Sequence, residues 1–133
     1  MSYDGYLVKV GDYKIPFKYI NSNTYKASMN VQDLDSYRDA DGVLHRNTLS
    51  HVPCKVEFET ANMFHTDFAD MMGNIQRNYV NAAERKAVVS AYVPETDSYV
   101  TQDMYMPDIT PTIINQFSGK LLYGSTRIAI VGY

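Results

Sequence analysis

The sequence predicts an α+β fold, a mostly antiparallel β-sandwich or barrel-like sheet with one flanking α-helix and a long polar arm. Three observations carry that expectation. Apolar residues alternate with polar ones over 51–59, the period of a half-buried strand, and a valine-rich segment, 86–93, returns as 98–106 through a strong turn. Between these segments, residues 63–78 repeat apolar side chains at helical spacing. Residues 21–50 show neither period. The chain has 133 residues and a mass of 15.1 kDa, with 45% hydrophobic and 20% charged residues, the balance of a folded domain rather than a disordered one. Area scaling allows such a chain a folded surface of about 7,000 Å² against about 22,000 Å² unfolded, enough burial for a core without disulfides. Residues 1–133 therefore read as a single domain, with 21–50 as an extended arm or loop.

The elements follow in order. Tyr6, Val8 and Val10 alternate with Leu7 and Lys9, Gly11-Asp12 supply a turn, and Tyr13 to Phe17 resume the alternation, which is a hairpin pattern. Pro16 restricts the second strand to an edge or a short length. The arm carries Asp33, Asp35, Asp39 and Asp41 with Arg38 and Arg46, and Asp41-Gly42 marks a turn, so a long hairpin with its tip at 39–42 is expected. Over 51–59, Val52, Cys54, Val56 and Phe58 share one face, opposite Lys55, Glu57 and Glu59. The helix of 63–78 uses Phe64, Phe68, Met71 or Met72, Ile75 and Tyr79, with Thr60 or Asn62 available as N-cap and Asp67 near the positive end of the dipole. Strands are expected at 86–93 and 98–106 around the turn Pro94-Glu95-Thr96-Asp97, and a loop with one short element at 108–119. The last segment, 121–133, reads as one long strand or a strand pair kinked at Gly124. Its apolar residues on both faces mark a central strand.

Several function classes fall away on composition. With 12 Lys and Arg scattered against 15 Asp and Glu, net charge −3, the chain lacks the basic face of a specific nucleic-acid binder. No apolar run reaches bilayer length, and the first residues lack the pattern of a signal peptide, so membrane partners are not expected and the chain reads as made inside the cell. Cys54 is the single cysteine and belongs to an apolar strand face, a small buried hydrophobe rather than a reactive thiol. Seven glycines stand singly, without a phosphate-binding loop. His51, His65 and Asp67, with His45, are the metal candidates, but His65 and Asp67 do not share a helix face. Asp33 with Asp35 and Asp39 with Asp41 do not match a calcium loop. No nucleophile, base and orienting group can be assembled, so no catalytic residue, metal or cofactor is expected.

Twelve Tyr and seven Met point instead to half-buried strands and contact surfaces. One reading is a small ligand-binding module in which Tyr92, Tyr99 and Tyr105 line a groove for a sugar or peptide. A second arises from the order of the segments. An N-terminal hairpin, the arm S-Y-R-D-A-D-G-V-L-H-R, a strand-helix-strand, a hairpin ending in D-M-Y-M-P-D and a C-terminal strand together resemble small tail proteins of phages and prophages of Gram-positive bacteria, similar in layout to tail-tube and distal-tail modules. The matching positions are Arg38, Gly42 and Arg46 in the arm, Tyr105 and Asp108 at the hairpin end, and 128–133.

The resemblance implies a β-sandwich with one flanking helix and a loop reaching a neighbouring subunit. It implies a homo-oligomeric ring, usually sixfold, that docks to other tail proteins in the virion tail, without catalytic residues or cofactor. It places the subunit interface at Arg38, Gly42 and Arg46. Energetics agree with an arm that orders on a neighbour. Fixing a backbone costs about 1–2 kcal/mol per residue, while each of its eight sizeable apolar side chains returns only about 1.5–3 kcal/mol on burial.

Overall fold

The computed structural model describes residues 3–133. Its first hairpin is short because Pro16 offers no amide to continue it. Strand β1 (Val8–Val10) pairs antiparallel with β2 (Tyr13–Lys14), Val10 opposite Tyr13 and Lys9 opposite Lys14. Gly11 turns the chain at φ +58°, and a Cβ there would lie 2.4 Å from Asn78 Oδ1, so only glycine fits. A 3-10 turn at Phe17–Tyr19 follows.

The segment expected to be wholly arm divides. Lys26–Met29 is a strand, β3, because Tyr25, Ala27 and Met29 alternate toward the core while Lys26 and Ser28 face solvent. Beyond it, β4 (Tyr37–Arg38) and β5 (Leu44–His45) form an isolated two-stranded hairpin. Strand β6 (Cys54–Glu59) shows the expected alternation, with Cys54, Val56 and Phe58 buried.

Two residues, Met63–Phe64, then form β7, and α1 runs His65–Arg77. The helix starts later than its apolar period implies, because Met63 and Phe64 are engaged in a sheet. Its N-cap is Phe64 in extended conformation, with no side-chain cap, rather than Thr60 or Asn62. Asp67 in the first turn and Arg77 in the last complement the helix dipole. Strands β8 (Lys86–Val93) and β9 (Ser98–Tyr105) pair along their whole length around Pro94–Asp97, where Asp97 takes φ +48°.

The one short element expected within 108–119 is a five-residue strand, β10 (Ile113–Phe117), turned into β11 (Lys120–Tyr123) by Ser118 and Gly119, both at positive φ. Strand β12 (Arg127–Gly132) completes the chain's elements. The break at Gly124 is there, but its two sides enter different sheets: β11 pairs with β10 and β7, whereas β12 pairs with β6 and β9.

Seven strands in the order β2-β1-β8-β9-β12-β6-β3, every neighbouring pair antiparallel, make the main sheet. A three-stranded sheet, β10-β11-β7, lies beside the helix. The sheets are open: β2 and β3 are edges, so the layout is sandwich-like and the barrel alternative is not realised. Strand β12 is interior to the main sheet, as its two apolar faces imply.

Phe68, Met71, Met72 and Ile75 of α1 pack on the inner face of the main sheet, among them Val10, Val56, Phe58, Val89, Met104 and Ile130. Curvature is pinned from outside the strand ladder by Tyr25, whose hydroxyl donates to Tyr92 O at 2.7 Å and Leu7 O at 3.2 Å. Burial pushes that phenol's pKa far up, keeping it a donor. Where the two sheets part, Thr60 and Thr126 are both buried and tie their strands together. Thr60 N donates to Thr126 O at 2.9 Å, and Thr126 N donates to Thr60 Oγ1 at 3.0 Å.

At the far end of β6, Gln102 continues the ladder in place of backbone. Its Oε1 accepts from Cys54 N at 2.9 Å and its Nε2 donates to Val52 O at 2.9 Å. Gly132 leaves the room for this, since a Cβ there would meet Gln102 Oε1 at 2.8 Å and Cys54 N at 2.9 Å. Gly132→Ala is expected to lose about 1–3 kcal/mol by overpacking, read as a lower urea midpoint. An unchanged midpoint would show that β6 and β12 separate there without cost. Phe68, 7% exposed and edge-on to Tyr123 at 5.2 Å, is expected to cost about 3–5 kcal/mol as Phe68→Ala in the same measurement.

Candidate functional site

Exposed apolar side chains are unevenly distributed. Among the described residues fourteen large hydrophobics are exposed, and nine of them sit on two hairpins. Val31, Leu34, Tyr37, Val43, Leu44 and Leu49 lie in 31–50, and Ile113, Ile114 and Phe117 lie on β10. The accessible surface is 8029 Å², above the value of about 7,000 Å² for a smooth monomer of this mass. Projecting elements account for such an excess.

The 31–50 hairpin is held by its own polar groups. Its stem pairs through Leu49 N to Gln32 O at 2.9 Å and a bridge between Asp33 and Thr48. At the tip, Gly42 N donates to Asp39 O and Asp39 N to Val43 O, each at 3.0 Å, and Gly42 takes φ +80°. That is a tight turn closed by a left-handed residue, the conformation in which glycine alone is unstrained.

Asp39 organises the turn. Its Oδ1 accepts from the amides of Asp41 and Val43 at 3.0 Å each, and its Oδ2 accepts from His45 Nε2 at 2.8 Å. The His45 ring stacks on its cross-strand partner Tyr37, centroids 4.9 Å apart and 13° from parallel. Arg38 Nη1 donates to Gly42 O at 2.9 Å. Arg46 places Nε and Nη2 on Asp33 Oδ1, at 3.0 and 2.7 Å.

Arg38, Gly42 and Arg46 are thus brought together on one hairpin, but both arginines already have partners within it. Their carboxylate and carbonyl acceptors belong to the same chain. Among the described residues Asp35 and Asp41 have no ion-pair partner.

The second hairpin, β10–β11, carries no acidic residue, and Lys120 is its one charge. All five residues of β10 are exposed, and β10 is the open edge of its sheet. Lys120 lies 5.8 Å from the ring centre of Phe64.

The tyrosines proposed to line a groove do not share one. Tyr92 and Tyr99 meet edge-on at 5.5 Å, and Tyr99 also packs on Tyr6 at 4.8 Å. Their hydroxyls are engaged, Tyr92 donating to Asp97 at 2.6 Å and Tyr99 to Tyr6 O at 2.6 Å. Tyr105 stands at the opposite end of β9, about 20 Å along an extended strand, against Tyr133.

The histidines are likewise apart. His51 contacts Tyr133 O, His65 Nδ1 accepts from Leu121 N at 3.0 Å, and His45 serves Asp39. No three His, Cys, Asp or Glu gather to hold a metal among the described residues. Cys54 is buried, and burial raises its thiol pKa. A depression of about 270 Å³ beside β3 is lined by Thr24, Lys26, Glu59 and the Arg127–Glu57 ion pair.

The hydrogen bond from His45, then those from the Val43 and Asp41 amides, hold the Asp39 carboxyl below its usual range. Because its folded pKa is depressed, the stabilisation it supplies is complete above the unfolded value of about 3.9 and is lost as pH falls through the folded value. The Val43 amide resonance is expected to titrate with a midpoint below that of an unperturbed aspartate and to lose that titration in Asp39→Asn. A midpoint that is not lowered would show that the turn is not organised by this carboxylate.

Solved structures share the fold. The chain is similar over 100% of its length to a chain in the virion of the native gene transfer agent (GTA) particle, with 12% identity, a TM-score of 0.54 and 94% of that chain covered. It is also similar to a chain in the tail of an empty GTA particle determined with C6 symmetry, at 11% identity and a TM-score of 0.56, covering 100% of this chain and 94% of that one. No curated protein matches the sequence. One family model does, from end to end: residues 1–133 match the family of unknown function DUF6711, and the chain belongs to that family.

Proposed function

We propose that the chain is a structural subunit of a phage or prophage-derived tail, one that self-associates into a ring and docks to other tail proteins. The observation that carries this reading is a fold shared along the whole chain with a subunit of a sixfold tail, at a TM-score of 0.56. The surface supports it, because nine exposed hydrophobics collected on two hairpins are what a repeated contact needs and what a free monomer has no use for. In this reading the subunit interface at Arg38, Gly42 and Arg46 works indirectly. Gly42 permits the turn, Arg38 clamps it and Arg46 locks the stem, and together they present the apolar side chains between them. The protein belongs to the virion tail after synthesis in the host cytoplasm.

Purified full-length chain is expected to form closed rings, six copies being the size set by the sixfold relative. Light scattering coupled to size exclusion gives the mass, and negative-stain images give the symmetry. A particle of monomer mass at every concentration up to the millimolar range would overturn the reading. Arg46→Ala, which leaves Asp33 unpaired on an exposed stem, is expected to weaken the ring while leaving the thermal midpoint of the body within a few degrees.

A further inference from the structure

The two hairpins differ in what they lack. The 31–50 hairpin belongs to no larger sheet, and two strands alone are marginal in water. It carries four aspartates against two arginines, net −2, and among the described residues Asp35 and Asp41 have no ion-pair partner. Strand β10 has five exposed residues, Ile-Ile-Asn-Gln-Phe, on an open edge with no charge to discourage pairing. Open edges of this kind recruit a further strand. Its hairpin is net +1 through Lys120. Each element offers what the other needs: apolar side chains on both, complementary charge, and a strand edge facing a sheet of only two strands.

The geometry points to a single interface made from both: the 31–50 hairpin of one copy docks on the β10 edge of the next copy. This rests on the ring reading and adds the receiving surface to it. The area is adequate. Nine side chains roughly half exposed offer on the order of 800 Å² of apolar surface, and at about 57% apolar composition the whole contact approaches 1,400 Å², within the range of specific interfaces. The two partners are different surfaces of one chain, so the contact is heterologous. Repeated by a rotation that closes, it generates a ring and not a two-fold dimer.

Two singly substituted full-length chains test the pairing, Val43→Cys on one hairpin and Asn115→Cys on the other. Cys54 is buried and stays silent under mild oxidation. The proposal expects a disulfide-linked dimer in the mixture of the two variants and none with either alone. It also expects Leu44→Asp and Phe117→Asp each to raise the dissociation constant of assembly at least tenfold at an unchanged thermal midpoint. Rings that form without a mixed disulfide, or that cross-link within a single variant, overturn this interface and leave the ring reading standing. A chain that never associates overturns the ring reading, and this interface with it.

Discussion

One helix must cover a sheet too wide for it. Thirteen residues of α-helix make a rod about 20 Å long and 10 Å across, whereas seven strands side by side span about 30 Å. A flat sheet would leave most of its apolar face wet. The sheet therefore curls, and the features beside the helix complete the cover: Ile15 and Ile20 from the segment after β2, Met63 from β7, and Met106 beyond β9, all buried. Tyr25 shows how far the curl goes. It stands next to edge strand β3, yet its hydroxyl reaches carbonyls just before β1 and on β8, strands on the other side of the sheet. Five hydrogen-bonded steps separate β3 from β1 along the ladder, and one phenol spans them through the interior.

Sequence periodicity reported this architecture wherever one face of an element is buried and the other is wet. β6 and the body of α1 were readable for that reason, since a residue on the wrong face of either would be expensive, whereas β8 and β9 were readable from valine content and the turn at 94–97. β3 escaped because its alternation rests on Tyr25, Ala27 and Met29, two of them flanked by Lys and Ser within a polar stretch. Strand β10 was readable only as one short element within a loop, for the opposite reason. All its side chains are exposed, so no alternation exists to be read, and Pro111 signals a loop just before it. The helix start was misplaced because Met63 and Phe64 fit the helical period while a strand partner, β11, claims them.

At the hairpin the same limit holds for charge. Composition marks Arg38 and Arg46 as ions in need of acceptors, but the acceptors are fixed by register. Arg46 finds Asp33 thirteen positions away only because the stem pairs Asp33 with Thr48, and Arg38 finds the carbonyl of Gly42 only because the turn is tight. Turn chemistry was readable from Asp41-Gly42 alone. Apolar exposure was not, because the leucines and valines of 31–50 cannot be told from core residues until the core is seen to be complete without them.

The hairpin's two legs run directly into β3 and β6, which are neighbours in the sheet. A sideways load on the tip therefore enters the body at the Met29–Cys54 pair and acts across the ladder, peeling it one rung at a time, the weakest direction for hydrogen-bonded strands. On the β6 side the peel meets Gln102, which grips Cys54 and Val52 from β9. On the β3 side only Asn30 N, bonded to Pro53 O at 2.8 Å, precedes the first rung. Under a sideways load the body is built to yield along its outermost strand, β3, and to keep β6 seated, so that it would open at one edge without exposing its core.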